Sequence, residues 1–234
     1  LGVAIKDFDG EFVALSGNQV GILLLDYILT RLSESNQMPK NAAVVKSFVT
    51  TGMAKALCDD YGVALYETPV GFKFIGEKIK QWEADGSYTY VFGFEESCGY
   101  LRGTHARDKD AVGASMMILE MTAYYKKLGM TLSDALEALY KTYGCFGEKT
   151  IDIYMEGLDG IERRKRVMKA LRENPPKRFG SYAITEYRDY LSGKVNVIIS
   201  VEEYGDIELE LDADTAPITV TNFVKLANEK FYDG

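Results

Sequence analysis

Along the first 145 residues the spacing of apolar positions switches repeatedly between two and about 3.6, the mark of strands alternating with helices. Leu1–Ile5 and Glu11–Leu15 are β-prone runs on either side of Asp9-Gly10, a tight-turn pair, and predict a hairpin. Gly17-Asn18-Gln19 then introduces an apolar helical run from Val20 to Leu32. Asn41–Val49 reads as a strand buried on both faces, and Thr50 or Thr51 as the cap of a helix over Met53–Tyr61. A short strand over Val63–Tyr66, a helix over Gly71–Ala84 and a strand over Tyr88–Phe94 follow, then a Gly-rich turn over Glu95–Gly103. Two helices, Lys109–Leu128 and Leu132–Tyr143, end this part, the second entered through Thr131. Strands separated by helices imply right-handed crossovers. The expected fold is therefore α/β, a mixed, largely parallel sheet with flanking helices.

Beyond this region Thr150–Met155 is a candidate strand, and Ile161–Glu173 an amphipathic helix stopped by Asn174-Pro175-Pro176. The charge run Glu162-Arg163-Arg164-Lys165-Arg166 reads as a solvated face, with Ile161, Val167, Met168 and Leu171 turned inward. Tyr182–Leu191 is a closing segment and Ser192-Gly193 a linker. After Gly193 the pattern becomes strand-first. Lys194–Val201 and Asp206–Leu211 alternate around a turn at Tyr204-Gly205, and Pro217 opens a helix over Thr219–Asn228. Residues 193–234 carry 3 basic and 9 acidic side chains, net −6 of the chain's −8, so charge divides where texture does. The expected organisation is a terminal hairpin (1–15), an α/β domain with its closing segment (16–192), and an incomplete β-rich segment (193–234).

That negative charge argues against nucleic acid or an anionic membrane as a partner, and no apolar run approaches the ~20 residues a membrane-spanning helix needs. Three cysteines (Cys58, Cys98, Cys145), odd in number and without CxxC spacing, suggest a reducing, cytoplasmic compartment rather than disulfides or zinc. Both chain ends fall inside element-like runs, Leu1–Ile5 and Phe231–Gly234, and are expected to be cuts through a longer polypeptide.

Candidate chemistry concentrates in Gly93-Phe94-Glu95-Glu96-Ser97-Cys98-Gly99-Tyr100 and the following His105-Ala106-Arg107-Asp108-Lys109-Asp110. Ligand crevices of open α/β sheets lie beyond the carboxyl ends of strands, where this turn falls. A carboxylate accepts hydrogen bonds from adjacent hydroxyls, while a serine both donates and accepts, a combination suited to a sugar ring. Arg107, Lys109 and the start of the following helix favour an anion nearby. The competing reading, a solvated acidic turn beside a surface ion-pair cluster, weighs more on chemistry alone.

Three segments shift that balance. Gly71-Phe72-Lys73-Phe74-Ile75-Gly76-Glu77-Lys78-Ile79, Phe92-Gly93-Phe94-Glu95-Glu96-Ser97 and Ala106-Arg107-Asp108-Lys109-Asp110 resemble the third domain of the α-D-phosphohexomutases, especially bacterial phosphoglucomutases. Leu1-Gly2-Val3-Ala4, the Asp9-Gly10 turn and Ser16-Gly17-Asn18-Gln19 resemble the crossover after that family's metal loop, so the likeness spans residues 1–192. It implies a sugar-reading domain of an isomerase that moves a phosphoryl group within hexose phosphates through a bisphosphate intermediate. A phosphoserine and a magnesium-holding aspartate loop of other domains would do the transfer. By that likeness Glu95 and Ser97 bind sugar hydroxyls, Gly71 meets the ligand through its backbone, and Arg107 and Lys109 help bind substrate. Lys109 sits near the reacting oxygen as a possible catalytic group, and His105 is a weaker catalytic candidate. Glu95 and Ser97 are then expected to share an open hollow beside Lys109. Val70 stands where the family often has threonine, and the sequence contains neither Asp-x-Asp-x-Asp nor a Thr-Ala-Ser-His-like serine loop. The expected partners are a hexose phosphate and the missing domains of the parent enzyme, and magnesium ligands are expected outside this chain.

Tyr204–Leu211, Ala216–Phe223 and Phe231–Gly234 are in turn similar to the opening of a bacterial cyclophilin, a peptidyl-prolyl isomerase, over residues 195–234. Two alternatives therefore stand beside the mutase reading: a prolyl isomerase fragment, or a sugar-phosphate binding module without catalysis.

Overall fold

The computed structural model describes residues 1–148, 155, 158–179, 182–190, 194–201 and 205–212. They fall into two compact units, Leu1–Gly144 and Cys145–Gly234. In the first, strands β1 (Val3–Lys6) and β2 (Phe12–Leu15) form the expected hairpin. Asp7 closes its turn by accepting the Asp9 and Glu11 amides on one carboxylate oxygen. Helix α1 (Gly17–Glu34) begins earlier than the apolar pattern suggests, because Ser16 and Gln19 form a reciprocal capping box. Next come β3 (Ala42–Ser47), α2 (Met53–Asp60), β4 (Ala64–Thr68), α3 (Phe72–Asp85), β5 (Thr89–Glu95), β6 (Gly99–Arg102), α4 (Ala111–Lys127) and α5 (Leu132–Tyr143).

The sheet order is β4-β3-β5-β6. β3 runs parallel to both β4 and β5, and β6 pairs antiparallel with β5, so the sheet is mixed and mostly parallel, as expected. β3 is buried along its whole length, which is why its sequence is an apolar run until Lys46 and Ser47 at its end. That lysine, 1% exposed, reaches Glu67 Oε1 at 2.9 Å and donates to the Thr50 carbonyl at 2.7 Å, so its charge is compensated within the fold.

The register of β5 on β3 slips at one point. Ala43 lies opposite Tyr90 but Val44 opposite Phe92, which leaves Val91 extra. Such a bulge shifts the alternation of faces by one residue. Tyr90 thus packs with Ile75, Ile79 and Trp82 of α3. Gly93 shares that side, where a Cβ would stand 2.5 Å from the Tyr90 hydroxyl and 2.9 Å from Ile75. Phe94 lies on the α1 side, its ring filling the space a side chain on Gly21 would take.

Several expectations are corrected. The predicted turn over Glu95–Gly103 contains strand β6, so the bend is only Glu96–Cys98. It is a three-residue hairpin loop whose last residue, Cys98, takes φ 60°, usually a glycine position. Neither Thr50 nor Thr51 is the N-cap of α2. Gly52 is, although Thr51 Oγ1 accepts the Met53 amide at 3.2 Å. Helix α4 starts at Ala111, not Lys109, because the Asp110 carboxylate accepts the Val112 and Gly113 amides and ends the preceding loop. The expected Thr131 cap is present as a capping box with Asp134.

The second unit holds α6 (Leu158–Glu173) and strands β7 (Arg178–Phe179), β8 (Tyr182–Tyr190), β9 (Lys194–Val201) and β10 (Gly205–Asp212). The strands form a sequential antiparallel ladder, β10-β9-β8-β7. Met168 and Leu171 of α6 are buried. Ile161, in the helix's first turn, is 48% exposed rather than turned inward. β8 pairs antiparallel with β9, from Ile184 opposite Ile199 to Tyr190 opposite Lys194, and the expected linker, Ser192-Gly193, lies outside the described residues. The strand expected over Thr150–Met155, the turn residue Tyr204 and the helix over Thr219–Asn228 lie outside the described residues, apart from Met155.

Two tests follow from this packing. A Cβ on Gly17 would lie 1.9 Å from the Glu96 carbonyl oxygen. Gly17→Ala should therefore cost about 1–3 kcal/mol through overpacking, read as a lower urea midpoint in the fluorescence of Trp82, the only tryptophan; an unchanged midpoint would refute the contact. The Gly113 amide, followed by His105 and the Val112 amide, holds the Asp110 carboxyl below the usual carboxylate range. A group whose pKa falls on folding stabilises above its unfolded value, roughly 3.9, and loses that contribution as pH drops through the folded value. The stability gap between the unaltered chain and Asp110→Ala should be steady near neutrality and close in acid. A gap that persists in strong acid would assign it to another cause.

Candidate functional site

The carboxyl ends of β3, β4 and β5 converge on one edge of the sheet, and the residues after them build the site. β5 ends in Glu95, which is 2% exposed. Gly71, which follows β4 and caps α3, has φ 120°, a conformation open to glycine and strained for any residue with a side chain. Its amide donates to Glu95 Oε1 at 2.7 Å, so a carboxylate from a neighbouring strand satisfies the first orphan donor of α3. The other oxygen, Oε2, pairs with Lys109 Nζ at 3.0 Å. Lys109 reaches it by lying across Gly99, where a Cβ would meet its methylenes at 2.5–2.9 Å, with its ammonium 5.0 Å from the Phe72 ring centroid.

The structure thus brings together three of the residues singled out from sequence, Glu95, Gly71 and Lys109. Ser97, two residues beyond Glu95, lies exposed at the apex of the bend. The expected open hollow at Glu95 is not found: Glu95 is buried with both carboxylate oxygens engaged, and Ser97 and Lys109 are the members that meet solvent. Arg107 is drawn elsewhere, its guanidinium bonded to Glu83 of α3 and to the Thr104 and Ala106 carbonyls. Its backbone nests against Gly76, where a Cβ would stand 2.7 Å from the Arg107 carbonyl oxygen. His105 Nε2 lies 2.9 Å from Asp110 Oδ2, at the start of α4 and not on the Glu95 cluster. The α4 terminus expected to favour an anion has two leading amides committed to Asp110.

Sequence reasoning passed over the second carboxylate of the bend. Glu96 Oε2 accepts from Ser47 Oγ and Thr50 Oγ1, each at 3.1 Å. A usable signal was present, since consecutive residues at a strand end must point to opposite faces. Among the described residues no group of three or more His, Cys, Asp or Glu side chains is placed to hold a metal ion, and no helix is long and apolar enough to cross a membrane.

Residues 16–143 match the family model described as phosphoglucomutase/phosphomannomutase, alpha/beta/alpha domain III. Residues 196–234 match the model for cyclophilin type peptidyl-prolyl cis-trans isomerases. A phosphoglucomutase of Staphylococcus aureus (strain bovine RF122 / ET3-1) is 34% identical over 195 residues, 83% of this chain and 34% of that protein. The Staphylococcus aureus MSSA476 phosphoglucomutase is 33% identical over the same length. The chain thus spans about a third of the phosphoglucomutases it matches. Among solved structures, the Paramecium phosphoglucomutase-type protein parafusin, in an open form, superposes with a TM-score of 0.56 at 18% identity, over 94% of this chain and 42% of that one. A Thermus thermophilus protein described as a phosphomannomutase gives 0.52 at 18% identity, over all of this chain and 46% of that one. At that identity the superpositions speak for the fold alone, and the sequence matches carry the assignment: this chain belongs to the phosphoglucomutase/phosphomannomutase family, of which it carries the third domain.

Proposed function

We propose that this chain supplies sugar recognition to a phosphohexomutase, an isomerase that relocates a phosphoryl group on a glucose or mannose phosphate. The observation that carries the reading is the cluster of Glu95, Gly71 and Lys109 at the carboxyl edge of the sheet, with Ser97 exposed two residues beyond Glu95. Glu95 is oriented by two donors, the Gly71 amide and the Lys109 ammonium, and it is the acceptor for sugar hydroxyls. A hydroxyl reaches Oε2 by taking the place of Lys109, whose side chain is 42% exposed and free to swing outward. Ser97 donates to or accepts from a neighbouring hydroxyl. Gly71, without a side chain, lets the ring approach the start of α3. The displaced Lys109 ammonium then lies beside the reacting oxygen, where it offsets developing negative charge or holds a proton. Arg107 joins the substrate only by leaving Glu83, and His105 stays with Asp110.

The nucleophilic serine and the magnesium ion of the transfer belong to residues other than those described. Magnesium supplies charge neutralisation on the transferring phosphoryl group. The three free cysteines support a reducing, cytoplasmic setting. The domain reading places residues 1–15 and 16–192 with the mutase and residues 193–234 with a separate cyclophilin-like segment. The match of residues 196–234 favours a second reading for that segment alone, the opening of a peptidyl-prolyl isomerase.

Isothermal titration of the 234-residue chain with glucose 1-phosphate and mannose 1-phosphate tests the assignment. Ser97→Ala should weaken binding up to about tenfold and Glu95→Gln by roughly ten- to a hundredfold, as expected for a neutral and a charge-assisted hydrogen bond. Equal affinities in all three proteins would remove sugar recognition from this turn. The chain alone should show no interconversion of glucose 1- and 6-phosphates, and measurable turnover would overturn the division of labour.

A further inference from the structure

The Glu-Glu pair at the end of β5 divides its work between the two faces of the sheet. Glu95 points toward the start of α3, and Glu96 toward the starts of α1 and α2. There its carboxylate meets Ser47 and Thr50, both fully buried, whose hydroxyl oxygens are 2.7 Å apart. The Glu96 amide donates back to Thr50 Oγ1 at 3.2 Å, so side chain and backbone grip the same hydroxyl. The neighbouring Thr51 amide donates to Asn18 Oδ1 at 3.1 Å, which ties the β3–α2 loop to α1. The Tyr100 hydroxyl donates to the Gly17 carbonyl at 3.1 Å and anchors the far strand of the hairpin to the same helix start. Without the Glu96 side chain, two buried hydroxyls lose their shared acceptor, and the bend is left with its backbone contacts, the Glu96 amide to Thr50 Oγ1 and the Cys98 carbonyl to the terminal ammonium of Leu1.

We propose that Glu96 is a positioning residue of the sugar site: it never meets substrate, but locks the Glu96–Cys98 bend onto the β3–α2 loop and so fixes where Glu95 and Ser97 stand. Misplacing a recognition group by even an ångström weakens what it recognises. The effect on ligand binding rests on the sugar-reading role assigned above. The effect on the bend itself does not.

The experiment compares the unaltered 234-residue chain with Glu96→Ala and Glu96→Gln, read by amide hydrogen exchange and by glucose 1-phosphate titration. In Glu96→Ala the amides of Glu96 and Thr51 should exchange roughly tenfold faster while those of Ile79 and Trp82 stay protected, a local opening. Glucose 1-phosphate affinity should fall about tenfold. Glu96→Gln keeps an oxygen acceptor and should restore both quantities to within roughly threefold. If Glu96→Ala does not fold, Thr50→Val removes the partner hydroxyl at similar volume and should loosen the same amides. Unchanged exchange at the bend, or unchanged affinity while Ser97→Ala weakens binding, overturns the positioning role and leaves sugar recognition standing. If neither the unaltered chain nor Ser97→Ala binds the sugar phosphate, the sugar reading fails, and exchange alone decides whether Glu96 locks the bend.

Discussion

A β-strand sends consecutive side chains to opposite faces, and the lower part of this sheet is arranged around that constraint at the end of β5. One carboxylate, Glu95, turns toward α3 and Lys109, and the next, Glu96, toward Ser47 and Thr50. Which of the two faces which helix is set upstream by the extra residue Val91, which shifts the alternation once along the strand. Without that bulge the alternation downstream would be inverted, exchanging the faces taken by Phe94, Glu95 and Glu96. A backbone irregularity in the buried core therefore decides the chemistry of a turn at the sheet's edge.

Much of the architecture is legible in the order of residues, because long helices and buried strands impose their periods on many positions at once. α1, β3, α3 and α5 fall close to where their apolar patterns put them, and Thr131 caps α5 as its side chain suggests. What escapes is short or dictated from a distance. β6 is only four residues long and carries the glycine that otherwise signals a turn, so it looks like loop until its pairing with β5 is known. The start of α4 follows from Asp110 and not from the apolar run, since a capping carboxylate outweighs periodicity at a helix end.

The site is legible in part for the same reason. Glu95, Gly71 and Lys109 can be grouped from motif order, but their mutual bonds cannot, since they bridge 24 residues of sequence in one case and arise from an ion pair in the other. Arg107 looks available for an anion in sequence, yet Glu83 on the exposed side of α3 lies closer to hand. Glu96 draws no role from motif order, although strand alternation alone sends its carboxylate to the face opposite Glu95. In the second unit the antiparallel ladder agrees with the alternating residues after Gly193, and a cyclophilin-type match covers the same stretch.

The bare backbone of Gly99 carries a consequence for how this domain tolerates change. Lys109 crosses directly over it, so the channel that leads the ammonium to Glu95 is made of a missing methyl group. Alanine there would be harmless to strand pairing and yet would evict the lysine's stem, stranding a negative charge in a place with 2% access to water. A mutation scored only by secondary structure would pass as silent at this position while taking the counterion from Glu95.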